Sequence, residues 1–277
     1  MNKTMFFIHG AFMTPLHWEN WIGFFQAKGF QCLAPAWPYR DKPIEELRKN
    51  PPVELATLGI REIIDHYTRI IEELNEPPCL IGHSMGGLVV QILLDRGLGA
   101  AGVAITSGPP KGVSPLFYRS VLKSFTGLFT GRWKKVISLS FKEFQYGFVH
   151  TLSEPEQRAA YEKYVVPESR RIFWQAALAP VTTLTAVNFN NDHRAPLLLI
   201  AAAEDKVTPA VMNRANAKRY HHSNAVTAFQ EFTGRTHWIT HQPGWEEVAD
   251  YIVGWLQSVL SDGKPEGVVA RSLSKLA

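Results

Sequence analysis

The sequence predicts an α/β fold: a mostly parallel sheet with helices on both faces, interrupted by a helical insertion. Three observations carry this. Short apolar runs alternate with longer helical patterns along the chain. Several of those runs are apolar throughout, as in Leu197-Leu198-Leu199-Ile200, which fits strands buried on both faces. Residues 109–191 break the alternation with aromatic-rich helical patterns and no convincing strand.

In chain order, Met5–Ile8 is a strand candidate and Pro15–Lys28 a helix with aromatic and aliphatic residues on one face. Gln31–Ala34 is a second strand, closed by Pro35. Glu54–Leu74 reads as one long amphipathic helix with Leu55, Leu58, Ile63, Ile64, Ile70, Ile71 and Leu74 as its apolar positions. Cys79–Ile81 is a third strand and Ser84–Asp95 the helix after it. Gly102–Thr106, Leu197–Ala202 and Val226–Phe232 are further strands; Pro209–Tyr220 and Trp245–Leu260 are further helices. The expected organisation is a core of residues 1–108 and 192–262, an insertion of 109–191, and a loosely ordered, flexible tail of 263–277 containing Gly, Ser and Lys. Right-handed crossovers are expected for each strand–helix–strand unit.

The bulk numbers set outer bounds. A chain of 277 residues suits one domain, or one domain with a sizeable insertion. Its 45% hydrophobic content supports a core, and 19% charged residues is too low for a disordered chain. The net charge of +4 demands neither nucleic acid nor membrane, and no nucleic-acid-binding motif is present. The apolar run after Lys3 is too short for a secretory signal, and none would span a bilayer, so a cytoplasmic protein without stable membrane insertion is expected. Cys32 and Cys79 lie in apolar strands and read as buried free thiols.

Residues Gly82-His83-Ser84-Met85-Gly86-Gly87 contain G-x-S-x-G. A serine in a tight strand-to-helix turn sits at strained backbone angles with its hydroxyl exposed, and neighbouring chain must approach closely where only glycine leaves room. Alone the pattern is weak: about one chain of this length in ten would carry it by chance. Here it follows an apolar strand and opens a helix, the setting of a nucleophile elbow. Met85, at the helix N-terminus, would offer one amide to a developing oxyanion.

A serine nucleophile needs a base, and a histidine base needs an acid to fix its tautomer. Asp205 follows the strand 197–202 and is the candidate acid, with Glu204 as its competitor. His237 follows the strand 226–232 and is the candidate base, with His241 as its competitor. The order Ser84, Asp205, His237 is that of serine hydrolases built on an α/β sheet. His9-Gly10-Ala11-Phe12 follows the first strand, where the Ala11 amide would be a second oxyanion donor.

On these residues the chain resembles the α/β-hydrolase superfamily over about residues 4–260, and in its early start the compact branch with plant esterases and hydroxynitrile lyases. The resemblance implies an eight-strand core, here with two early strands lost, and a helical cap at 109–191. It departs from the family at Thr236, where glycine usually precedes the base. His9-Gly10 also lacks the proline two residues later, and Ser84 stands where epoxide hydrolases and dehalogenases carry aspartate.

The expected activity is that of a carboxylesterase or lipase (EC 3.1.1), acting through an acyl-enzyme on a small, largely apolar ester-like molecule. No metal or organic cofactor is expected, and a homodimer is the candidate assembly. Phe12 and His83 are the candidate substrate-binding residues. Most cap aromatics read as packing between cap and core. Arg119, Lys123, Arg132, Lys134 and Lys135 read as a solvated basic face, with contact to anionic lipid or substrate the lesser alternative. A lyase or lactonase using the same triad, or a ligand receptor on this scaffold, are the competing functions.

Overall fold

The structure, a computed structural model, describes residues 4–113, 119–124, 135–178 and 182–261. Ten helices and eight strands are described, named here in chain order. The strands are β1 (Thr4–Ile8), β2 (Gln31–Leu33), β3 (Cys79–His83), β4 (Ala101–Ile105), β5 (Val136–Ile137), β6 (Glu168–Ser169), β7 (Leu197–Ala202) and β8 (Thr227–Phe232). The helices are α1 (Glu19–Ala27), α2 (Ile44–Lys49), α3 (Ile60–Glu72), α4 (Met85–Asp95), α5 (Arg119–Ser124), α6 (Phe141–Gly147), α7 (Glu154–Tyr164), α8 (Arg170–Ala177), α9 (Ala210–Arg219) and α10 (Trp245–Leu260).

Six strands form one sheet in the order β2-β1-β3-β4-β7-β8, every neighbouring pair parallel. Alternation along the strands splits the core into two layers. Met5, Phe7, Cys79, Ile81, Val103, Ile105, Leu198 and Ile200 pack with Trp21 and Phe25 of α1 and Ile252 and Leu256 of α10. Phe6, Ile8, Leu80, Ala104, Leu197 and Leu199 pack on the opposite side with Ile63 and Tyr67 of α3, Leu88 of α4 and Ala217 of α9. The apolar continuity of β3, β4 and β7 follows from this two-sided burial.

The order also positions a site. After β1 the chain moves outward to β2, then returns to the other flank of β1 as β3. The loops leaving β1 and β3 therefore diverge, and a crevice forms at the carboxyl ends of these strands.

Several elements differ from the sequence reading for local reasons. The 15–28 helix begins as a 3-10 turn, Pro15–Trp18, capped by the Thr14 hydroxyl, before α1. The 54–74 helix is two pieces, a 3-10 turn over Val53–Thr57 and then α3, because Leu58 and Gly59 dock against the insertion. Gln175 of α8 accepts the Ile60 amide there at 2.8 Å, and a Cβ on Gly59 would crowd the same side chain. The short α2 has acidic residues in its first turn and basic ones in its last, a macrodipole match that the apolar pattern did not reveal.

The insertion contains two strands where none is expected: β5 and β6 pair antiparallel, Val136 with Ser169 and Ile137 with Glu168. Two residues per strand leave no periodicity to read. Helices α6 and α7 open with Ser140/Glu143 and Ser153/Glu156 capping boxes. Of the basic residues expected on this segment, Arg119, Lys123 and Lys135 are exposed, whereas Arg132 and Lys134, like the expected tail, lie outside the described residues.

Both thiols are free. Cys79 is buried, which pushes its pKa up to about 12, but Cys32 is only partly buried. Among the described residues no helix is long and apolar enough to cross a membrane, and no cluster of three or more metal-ligating side chains occurs.

Candidate active site

The turn between β3 and α4 is one residue long, and Ser84 is that residue, at φ 56° and ψ −119°. A non-glycine residue in this region carries strain of about 1–3 kcal/mol and needs outside support. Support comes from four backbone hydrogen bonds: Ser84 N–H donates to Ile105 O, and Ser84 O accepts from Gly87, Leu88 and Gly108. The flanking glycines are steric requirements. A Cβ on Gly82 would overlap the Gly86 carbonyl, and one on Gly86 would overlap the Ile8 carbonyl of β1. A Cβ on Gly10 would lie 3.0 Å from Ser84 Cβ, so the loop after β1 passes directly beside the serine. Phe12 (φ 65°) and Thr106 (φ 41°) are also in the left-handed region, so strain gathers at the carboxyl ends of β1, β3 and β4.

Asp205 follows β7 and is buried. Its Oδ1 accepts the amides of Val207 (2.7 Å) and Thr208 (2.8 Å). Its Oδ2 lies 2.7 Å from His237 Nδ1 and 2.8 Å from Thr208 Oγ1. Thr208 Oγ1 also lies 2.8 Å from the Thr106 carbonyl, tying the acid's loop to the end of β4. With a carboxylate facing it, Nδ1 of His237 carries the proton, which leaves Nε2 as a free base. Nε2 is buried and has no hydrogen-bond partner, so the bond to the Ser84 hydroxyl is not closed here. Such contacts are often long in unliganded enzymes and tighten around substrate.

The structure thus joins Asp205 to His237 directly and brings the residue before Ser84 against the same histidine. His83 Nε2–H donates to the His237 carbonyl at 2.9 Å, and the two rings are 4.7 Å apart. Phe148 of the insertion packs edge-on to the His237 ring at 4.9 Å. The competitors are elsewhere: Glu204 is exposed, and His241 Nδ1 pairs with Thr240 Oγ1 at 3.0 Å. Ala11 is partly exposed beside the serine, and Met85 is the first residue of α4, whose amide lacks an intrahelical acceptor. Phe12 and His83, expected to meet substrate, are both buried, and Phe12 stacks on Phe173 at 5.2 Å.

Sequence reasoning missed several contributors. The Thr208 hydroxyl contacts the Asp205 carboxylate. A buried network links Gln91, Ser107, Asn213, Asn216 and Tyr220 behind the serine turn. His17 stacks on His83 at 4.8 Å and contacts Thr240 Oγ1 at 3.0 Å. Such long-range contacts leave no local signal.

Burial keeps these neighbouring imidazoles neutral. It lowers His9 and His241 to about 3, and His17 and His83 well below the ordinary value of 6.5. In the unfolded chain each would protonate below about pH 6.5, so the unfolded state binds more protons and stability falls as pH drops through that range towards 3. His9, His241, His17 and His83 all act in this direction, so their combined loss between neutral pH and pH 4.5 should be on the order of a few kcal/mol. Urea denaturation at pH 7.5 and 4.5 checks this; equal midpoints would contradict it.

The sequence profile described as Alpha/beta hydrolase family matches residues 5–251. Among solved structures, the chain is similar to a monoacylglycerol lipase from Paleococcus ferrophilus, with 23% identity, a TM-score of 0.62, and coverage of 91% of this chain and 93% of that one. It is also similar to polyneuridine aldehyde esterase, with 15% identity, a TM-score of 0.66 and coverage of 92% and 99%. A pyrethroid hydrolase from Sphingobium faniae JZ-2 gives 16% identity, a TM-score of 0.66 and coverage of 92% and 98%. No curated protein matches in sequence. At these identities the likeness speaks for the fold.

Proposed function

Because the chain belongs to the alpha/beta hydrolase family, we propose that it is a serine hydrolase that cleaves a carboxylic ester of a small, largely apolar molecule. The observation that carries this reading is the 2.7 Å contact between Asp205 Oδ2 and His237 Nδ1, made at the sheet edge that also holds Ser84 in a strained turn. Asp205 fixes the tautomer. His237 Nε2 takes the Ser84 proton as Oγ attacks the ester carbonyl, and the tetrahedral oxyanion meets the Ala11 and Met85 amides. The protonated His237 then gives its proton to the leaving alkoxide. In the second half His237 deprotonates a water, which attacks the acyl-enzyme; the protonated His237 returns its proton to Ser84 Oγ as the acid is released.

Residues 109–191 would act as a cap over this edge. Phe148, against His237, supports an apolar acyl or aryl group near the reacting carbonyl. The similar solved structures named as a lipase, an esterase and a hydrolase agree with the reaction class without fixing the substrate. The test is a panel of p-nitrophenyl esters from acetate to decanoate, with a cyanohydrin and a lactone alongside. Turnover of one or more esters is expected. Cyanohydrin cleavage or lactone opening without ester turnover would replace the ester assignment, and tight binding with no turnover would indicate a receptor.

A further inference from the structure

Glu168, in the insertion strand β6, is fully buried with Arg40, which lies between β2 and α2 in the sequence. Arg40 Nη2 is 2.5 Å from Glu168 Oε2, and Arg40 Nη1 donates to the Pro167 carbonyl. The same Oε2 accepts the Phe12 amide at 3.1 Å, while Oε1 accepts the Ser169 amide at 2.7 Å. Val166 N–H donates in turn to Phe12 O at 2.9 Å. Residues 166–168 therefore grip both backbone groups of Phe12, a non-glycine residue held at φ 65° immediately after Ala11. On the other side of Ala11, His9 Nδ1–H donates to the Gly10 carbonyl at 2.9 Å, and that carbonyl shares a peptide plane with the Ala11 amide. Both peptides flanking Ala11 are thus pinned, one by His9 and one by Glu168.

A buried ion pair is a poor device for mere attachment, since an apolar pair of similar volume commonly serves stability as well. Its carboxylate is spent on the amide of a strained residue beside the reacting serine. We infer that Glu168 is a positioning residue for the oxyanion site: through the Phe12 amide it fixes the turn that aims the Ala11 N–H, and so makes the insertion part of the catalytic apparatus. This rests on the Ala11 donor role proposed above. The Phe12 ring, stacked on Phe173, anchors the same turn to α8.

The test compares two double variants with the wild-type enzyme. Arg40→Met/Glu168→Leu removes the charges and the acceptor; Arg40→Met/Glu168→Gln removes the charges but keeps an acceptor oxygen for Phe12. Loss of one oxyanion donor costs roughly 10²–10³ in kcat. The Leu pair should lose about that factor in kcat with KM within about threefold. Its affinity for a trifluoromethyl ketone, which forms a tetrahedral adduct, should fall in parallel with kcat/KM. The Gln pair should recover most of the loss. If the Leu pair folds and matches the Gln pair in both readouts, Glu168 is only structural and the inference is overturned. Should the Leu pair not fold, Glu168→Asp keeps the charge beside Arg40 but withdraws the acceptor by about 1.5 Å. A kcat at least tenfold lower at unchanged KM is then expected, and an unchanged kcat overturns the inference. Failure of the hydrolase reading itself looks different: ester turnover in the parent enzyme would survive loss of the Ser84 hydroxyl.

Discussion

Alanine at position 84 is expected to lower kcat by about 10⁵–10⁶-fold on any ester the protein turns over, with KM changed by no more than a few-fold. In the proposed mechanism the hydroxyl forms the acyl-enzyme, so its removal would end the covalent route. Residual turnover above the uncatalysed rate would come from the amides of Ala11 and Met85 and from substrate positioning, which survive the change. The fold should survive as well. The strained angles of the turn belong to the backbone, and the four bonds that hold Ser84 use its N–H and C=O rather than its side chain. Alanine tolerates φ 56° no better and no worse than serine to first order, so thermal unfolding should move by only a few degrees. Steady-state kinetics together with a melting curve separates this outcome from simple unfolding.

The second large effect is expected for Asp205→Asn, a loss of about 10⁴-fold in kcat near neutral pH with the fold retained. The asparagine oxygen can still accept the Val207 and Thr208 amides that Asp205 Oδ1 accepts now. That choice leaves the amide NH2 facing His237 Nδ1, which must then act as acceptor. The imidazole proton moves to Nε2, the nitrogen that should be free to take the serine proton. The variant therefore keeps its geometry and holds the wrong tautomer. A kcat within about tenfold of wild type would mean that Asp205 does not orient the base.

The sheet was legible because its strands are short, apolar and separated by helical periodicity. The bounds of β7 and α10 agree with the sequence reading to the residue, since apolar strand and amphipathic helix are both strong local signals. The Ser84 turn was legible for a different reason: Gly82 and Gly86 mark contacts so close that no side chain fits, so a structural constraint is written in residue type. Asp205 and His237 were read from their places after β7 and β8, and the structure brings their side chains together. What remained hidden is long-range. The break before Ile60 depends on Gln175, and the grip on Phe12 depends on Glu168, 156 residues away. Neither leaves a period or a motif. His17 and His83 stack through contacts that only the folded chain creates, and β5 and β6 are too short to show alternation.

Whether Ser84 acts as a nucleophile can be measured without knowing the natural substrate. The intact protein is incubated with a fluorophosphonate probe, digested, and the modified peptide mapped by mass spectrometry. The adduct is expected on Ser84 alone, at a rate that collapses in the Asp205→Asn variant and on heat denaturation. An adduct on a different side chain, or ester turnover that persists while Ser84 stays unmodified, would contradict the assignment.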